Sequence, residues 1–285
     1  MNLENKLKIP ALDNNFFALE EDISNLDRLE RLSERHPVNI LVTGNQGCGK
    51  SSLVRQFAGF YKRPLATFQV GLLIESGQLF GQQGLRNGET YFQSFLFPKA
   101  IQNPGCVIHL EEINRSETPH ALNELFSVLS EDRSIWIDGL GLVEVAPAVI
   151  FFATMNEGEE FSGTDRLDAA LGDRFYRIHL EHLPSKVEKK VLMLKTGVDE
   201  TQAARIIRVV TKLRGNDQME MNVSIRHSLM IGELVAFGAS LREALIYSLQ
   251  ISPDALESLL LSLHVETGQK EADPGHYGPY IPWKS

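Results

Sequence analysis

Two short stretches carry side chains whose types and spacing suit chemistry on a chain of phosphates. The first, GNQGCGKS, runs from Gly44 to Ser51. Its glycines Gly44, Gly47 and Gly49 let backbone N–H groups curl around anionic oxygens. A helical pattern, KSSLVRQFAGF, opens at Lys50, and a helix N-terminus adds partial positive charge. In such a loop Lys50 reaches the β- and γ-phosphates of a nucleotide and Ser51 offers its hydroxyl to Mg²⁺. Asn45, Gln46, Cys48 and Ser52 complete the stretch expected to bind the nucleotide, with Cys48 as a small, inert filler. The second stretch, VIHLEEINRS, spans 107–116 and ends an apolar run on two carboxylates, Glu111 and Glu112. Charges at the end of a buried strand are costly without partners. A metal-bound nucleotide supplies the missing positive charge. Glu111 is then expected near the Mg²⁺, and Glu112 orients and polarises an attacking water.

The elements that position these groups follow from the apolar pattern. VNILVTG (38–44), PLATFQV (64–70), CVIHL (106–110), AVIFFATM (148–155) and RFYRIHL (174–180) read as five buried strands separated by helical patterns. That alternation predicts an α/β fold with a parallel sheet sandwiched by helices. The third strand is expected directly beside the one that precedes the phosphate loop, with its carboxyl end facing the phosphates. Asp138-Gly139 within 134–145 and Asn87-Gly88 within 84–92 are hairpin turn signals. Beyond Pro184 only helical patterns follow. In 199–214, Ala203, Ile206, Ile207, Val210 and Leu213 mark one face. The expected organisation is an N-terminal segment with a short helix (1–35), a nucleotide-binding domain (36–183), a helical lid (184–266) and an extended tail (267–285).

Composition bounds the partners. The chain has 285 residues, 43% hydrophobic, and a net charge of −9, which disfavours generic binding to nucleic-acid backbones. The two cysteines, Cys48 and Cys106, form neither a Cys-x-x-Cys pair nor a zinc pattern, in keeping with a reducing cytoplasm. The N-terminus lacks the apolar core of a signal peptide, and no apolar run approaches the roughly 18 residues of a membrane span.

With GNQGCGKS, LEEINRS, FFATMN, LGDRF and SIRHSL in this order, the chain resembles the AAA+ ATPases, most closely the MoxR-like group with its CbbQ, NorQ and GvpN-type proteins. The resemblance covers about residues 36–265 and implies a P-loop AAA+ core, a helical lid, and Mg²⁺-dependent hydrolysis of ATP. It makes LEE a Walker B element, with Glu111 where the group usually has Asp. It implies that Asn156 is sensor 1, a polar amide between water and γ-phosphate. Arg174 becomes the arginine finger reaching the γ-phosphate of a neighbouring subunit, with Arg166 as second candidate, and Arg226 becomes sensor 2 on the lid. It also implies a homo-oligomeric ring, a hexamer, acting on a partner protein that often carries a von Willebrand factor A domain. The two hairpins stand where the group carries its pore-facing loops, and Tyr91, Phe92 and Phe95 invite a pore-aromatic reading, although core packing is the simpler one. Two other functions use the same ATP site: a DNA-directed motor, against which the hairpin's Asp138 and Glu144 count, and a nucleotide-gated scaffold.

Overall fold

All five buried runs form strands of one parallel sheet in a computed structural model of the chain. The structure describes residues 7–73, 77–86, 88–115, 122–157, 167–214, 223–252, 254, 256, 257 and 276–282. In chain order the elements are β1 (Phe17–Leu19), α1 (Glu20–Leu32), β2 (Val38–Gly44), α2 (Lys50–Phe60), β3 (Leu65–Gln69), β4 (Gly81–Arg86), β5 (Glu89–Ser94), α3 (Leu96–Ile101), β6 (Val107–Glu111), α4 (Asn123–Val128), β7 (Ser134–Ile137), β8 (Gly141–Glu144), β9 (Ile150–Asn156), α5 (Ala169–Gly172), β10 (Tyr176–Leu180), α6 (Ser185–Thr196), α7 (Glu200–Arg214), α8 (Ile225–Ala236), α9 (Leu241–Leu249) and β11 (Tyr277–Pro279).

The sheet order is β10-β2-β9-β6-β3. This corrects the expected neighbourhood: β6 does not flank β2, because β9 lies between them. The physical reason is that apolar runs report burial, whereas strand order is set by the crossovers, and a later strand can fill a gap left by earlier ones. The acidic end of β6 therefore stands one strand spacing farther from the phosphate loop, about 4.8 Å, and faces it across the end of β9.

Alternation along the strands divides the core into two layers. Ile40, Val42 and Phe152 pack on one face with Leu53, Val54 and Phe57 of α2 and Leu26 of α1. Leu41, Phe151 and Ala153 pack on the other with Phe97 and Ile101 of α3 and Leu125 and Val128 of α4. A third cluster belongs to α6–α9. In it Ala203, Ile206, Ile207, Val210 and Leu213 of α7, the expected face, are all buried. Most of the helical pattern after Ser252 lies outside the described residues.

Both turn signals fall in antiparallel hairpins, β4–β5 and β7–β8. Asn87 is outside the described residues, while Gly88 and Gly139 have φ of +84° and +89°. The hairpins touch: a side chain on Gly139 would begin 2.7 Å from Phe92. Phe92 packs against the core, Tyr91 is exposed, and Trp136 and Leu142 form an exposed cross-strand pair.

The chain's two ends meet. β1 and β11 form a small antiparallel sheet, and Tyr280 is fully buried in the α1–α2 layer. Arg63 ties α1 to the core. It donates to Glu30 Oε1 (2.8 Å), Ser33 Oγ (3.1 Å), and the carbonyls of Gly105 (3.2 Å) and Ala148 (2.6 Å). Removing one partner of such a buried pair leaves the other uncompensated. The Arg63→Ala variant is expected to lose about 3–5 kcal/mol of stability, read as a lower denaturation midpoint. An unchanged midpoint would show that water replaces the guanidinium without cost.

Candidate functional site

The phosphate loop joins β2, buried along its whole length, to α2. Two of its glycines are demanded by space as well as by backbone conformation. Gly44 has φ +140°, and a side chain there would sit 2.1 Å from the Leu180 carbonyl oxygen. Gly47 has φ +74°, and a side chain there would collide with Ser224 Cβ at 2.4 Å. Ser224 is the N-cap of α8, so the lid rests on the loop.

Lys50 is buried, and its ammonium donates to the carbonyls of Gly44 (2.8 Å) and Asn45 (2.7 Å), 3.9 Å from Cys48 Sγ. Burial pulls its pKa below the usual lysine range, against the opposing influence of Cys48, Glu157 and Glu112. A desolvated cation with no carboxylate bonded to it among the described residues is a fitting receptor for a polyanion. Burial also raises the Cys48 thiol, which keeps it protonated and inert.

The loop opens onto a cavity of about 460 Å³. Gln46 through Ser52 line it, with Glu111, Glu112 and Asn156 from the carboxyl ends of the central strands and Arg226 from the start of α8. Gly44 and Asn45 are not in its lining; they face Lys50 through their carbonyls. Glu111 accepts from Gln69 Nε2, and its other oxygen lies 3.7 Å from His109 Nδ1. Glu112 is held by its backbone: φ is +55°, its N–H donates to Thr154 Oγ1 (3.4 Å), and its carboxylate pairs with Arg115 Nη1 at 2.9 Å. The Asn156 carbonyl accepts from Asn114 Nδ2 (3.1 Å).

Arg174 stands apart and does not line the cavity. Its guanidinium lies over the Phe126 ring, 5.0 Å from the centroid, and donates to the Ala170 carbonyl. Its Nε is buried without a hydrogen-bond partner among the described residues. Arg166 lies outside them.

The donor set suits Mg²⁺. Ser51 and Glu111 offer hard oxygen ligands in one cavity, and an ion of this kind takes its remaining ligands from phosphates and water. Among the described residues no cluster of three or more His, Cys, Asp or Glu forms an all-protein metal cage.

Comparison with known proteins finds two matching domain families. Residues 39–175 match the AAA domain of the dynein-related subfamily, and 188–256 match the CbbQ/NirQ/NorQ C-terminal domain. A Thauera aromatica protein provisionally named chaperone BssE is 56% identical over 280 residues, covering 98% of each chain. Protein NorQ of Paracoccus denitrificans is 25% identical over 244 residues, covering 84% of this chain and 86% of its own.

The chain belongs to the MoxR-like AAA+ ATPases.

Among solved structures, a Thermotoga maritima RuvB mutant shares the fold, with TM-score 0.54 at 16% identity over 88% of this chain and 72% of that one. This MoxR-like ATPase also has cavity residues that sequence reasoning missed. Phe16 to Leu19 and Asp22 line the site from the N-terminal side, Glu181 from the connection to the lid, and Tyr277 from the C-terminal segment. Their available signal was apolar and aromatic residues in segments otherwise polar, FFAL near the start and YGPYIPW near the end. No helix among the described residues is long and apolar enough to cross a membrane.

Proposed function

We propose that this ATPase is a ring-forming motor, a hexamer, that hydrolyses ATP with Mg²⁺ and uses the cycle to remodel or activate a partner protein in the cytoplasm. The observation that carries the reading is a separation. The loop, both Walker B carboxylates, Asn156 and the lid's Arg226 share one cavity, whereas Arg174 lies outside it. A ring lets Arg174 of one copy serve the cavity of the next.

The residues divide the work. Lys50 and the loop N–H groups hold the triphosphate; Ser51 and Glu111 would hold the metal, which when bound would screen charge on the phosphate oxygens. Glu112 takes the proton of the attacking water once it leaves Arg115, and Asn156 orients that water by donating and accepting. Arg226 links phosphate contact to the position of the lid. Arg174 from the neighbouring copy neutralises charge that develops during transfer.

Partner remodelling is supported by the name of the BssE relative, and the exposed Trp136–Leu142 pair offers an apolar surface on the β7–β8 hairpin. The hairpin's charged residues are Asp138 and Glu144, which favours a protein client over DNA. The test is a pull-down with the Glu112→Gln chain. A partner bearing a von Willebrand factor A domain is expected to be retained with ATP and released without it. Recovery of no protein in a nucleotide-dependent way would sink the remodelling role.

A further inference from the structure

We propose that the C-terminal strand β11 is a wall of the nucleotide site, with Tyr277 a nucleotide contact, so that ATP binding and docking of the C-terminal segment stabilise each other. The proposal rests on the nucleotide reading above and adds to it a binding residue from the far end of the chain.

Three observations carry it. First, the segment is docked by specific bonds. Tyr277 pairs with Leu19, the Glu20 N–H donates to the His276 carbonyl (3.0 Å), and the Tyr280 N–H donates to the Phe16 carbonyl (3.1 Å). Second, it is anchored next to the phosphate loop's own helix. Tyr280 stacks on Phe60 of α2 with centroids 5.0 Å apart, and its carbonyl accepts from Gln56 Nε2 at 2.6 Å. Gln56 also binds both backbone groups of Asp13, so one side chain of α2 clamps both termini. Third, the wall is continuous with the loop. The Phe16 ring lies 3.9 Å from where a side chain on Gly49 would begin, β1 continues from it, and Tyr277 lines the same cavity.

The chemistry of this wall suits a base. Tyr277 lies near two carboxylates, Asp22 and Glu181, which also line the cavity, and Asp22 Oδ2 is buried without a hydrogen-bond partner among the described residues. Burial, reinforced by Glu21, lifts the Asp22 carboxyl to about 6. Such a group is stabilised by a donor, and the exocyclic amine of adenine is one. The lid contributes apolar Val191, Ile225 and Leu229 to the same cavity. If ATP binds only the docked arrangement, linkage requires that ATP also hold β11 in place.

The experiment uses the full chain with Mg-ATP. Tyr277→Ala is expected to weaken ATP binding about tenfold, the loss of one aromatic wall. Its melting point without nucleotide should match the parent's, because Tyr277 is only half-buried. Tyr277→Phe should retain most of the affinity. Bound ATP should slow amide exchange at Tyr277, Gly278 and Tyr280 in the parent and leave it unchanged in Lys50→Ala. Parent-like affinity in Tyr277→Ala together with unchanged exchange at Tyr277, Gly278 and Tyr280 would overturn the proposal and leave the nucleotide reading intact. No ATP uptake by the parent itself would overturn both.

Discussion

Phosphate release by the Glu112→Gln chain is expected to fall about 10²–10⁴-fold, while ATP uptake stays at the parent's level. Glutamine keeps the size and the polar edge of the side chain but cannot accept a proton from water. The fold should not notice, since the Glu112–Arg115 pair is solvent-exposed and such pairs contribute little. The backbone that aims the side chain is also unaffected. The Ile113 N–H donates to the Thr154 carbonyl (3.0 Å), and the Glu112 N–H donates to the same residue's hydroxyl, fixing the left-handed bend from β9. A single-turnover assay beside equilibrium binding separates the two quantities. Parent-like turnover would remove Glu112 from the mechanism.

The second large effect is in Arg174→Ala. Loss of an arginine finger slows hydrolysis about 10³-fold or more, and here ATP affinity should be nearly unchanged because Arg174 does not line its own chain's cavity. The decisive measurement is mixing. Arg174→Ala and Lys50→Ala chains are each expected to be nearly inactive alone. In a mixed ring, some interfaces pair an intact loop with an intact finger, so part of the activity returns. No recovery on mixing, with Arg174→Ala also failing to bind ATP, would mean that Arg174 acts within its own chain. Parallel mixing with Arg166→Ala discriminates the two arginines.

The parts of this fold that were legible in the sequence are those in which burial is periodic. VNILVTG matches β2 residue for residue, and the apolar stripe of 199–214 is the buried face of α7. The phosphate loop was legible for a related reason: its glycines satisfy local geometry, and local geometry is written in adjacent residues. What was not legible depends on distance. The insertion of β9 between β2 and β6 is a property of crossovers that leaves no trace in the strands themselves. The β1–β11 sheet has strands of three residues, too short for alternation to register, and its partners lie more than 250 positions apart. The side chains engaging the acidic pair escaped notice for the same reason. Gln69 meets Glu111 only because β3 and β6 are in register, and Thr154 meets Glu112 only because β9 ends beside it.

The seat of Ser224 on Gly47 has a mechanical consequence. With no room for even a methyl group between them, the loop and the first turn of α8 are in direct contact. A displacement of the loop backbone toward Ser224 would press on one end of a helix about 18 Å long. Pushed at its tip, a stiff rod pivots, and its opposite end, where Phe237 stands almost wholly in solvent, travels farthest. Glycine at position 47 thus sets the zero of a gauge whose pointer is the outer edge of the lid.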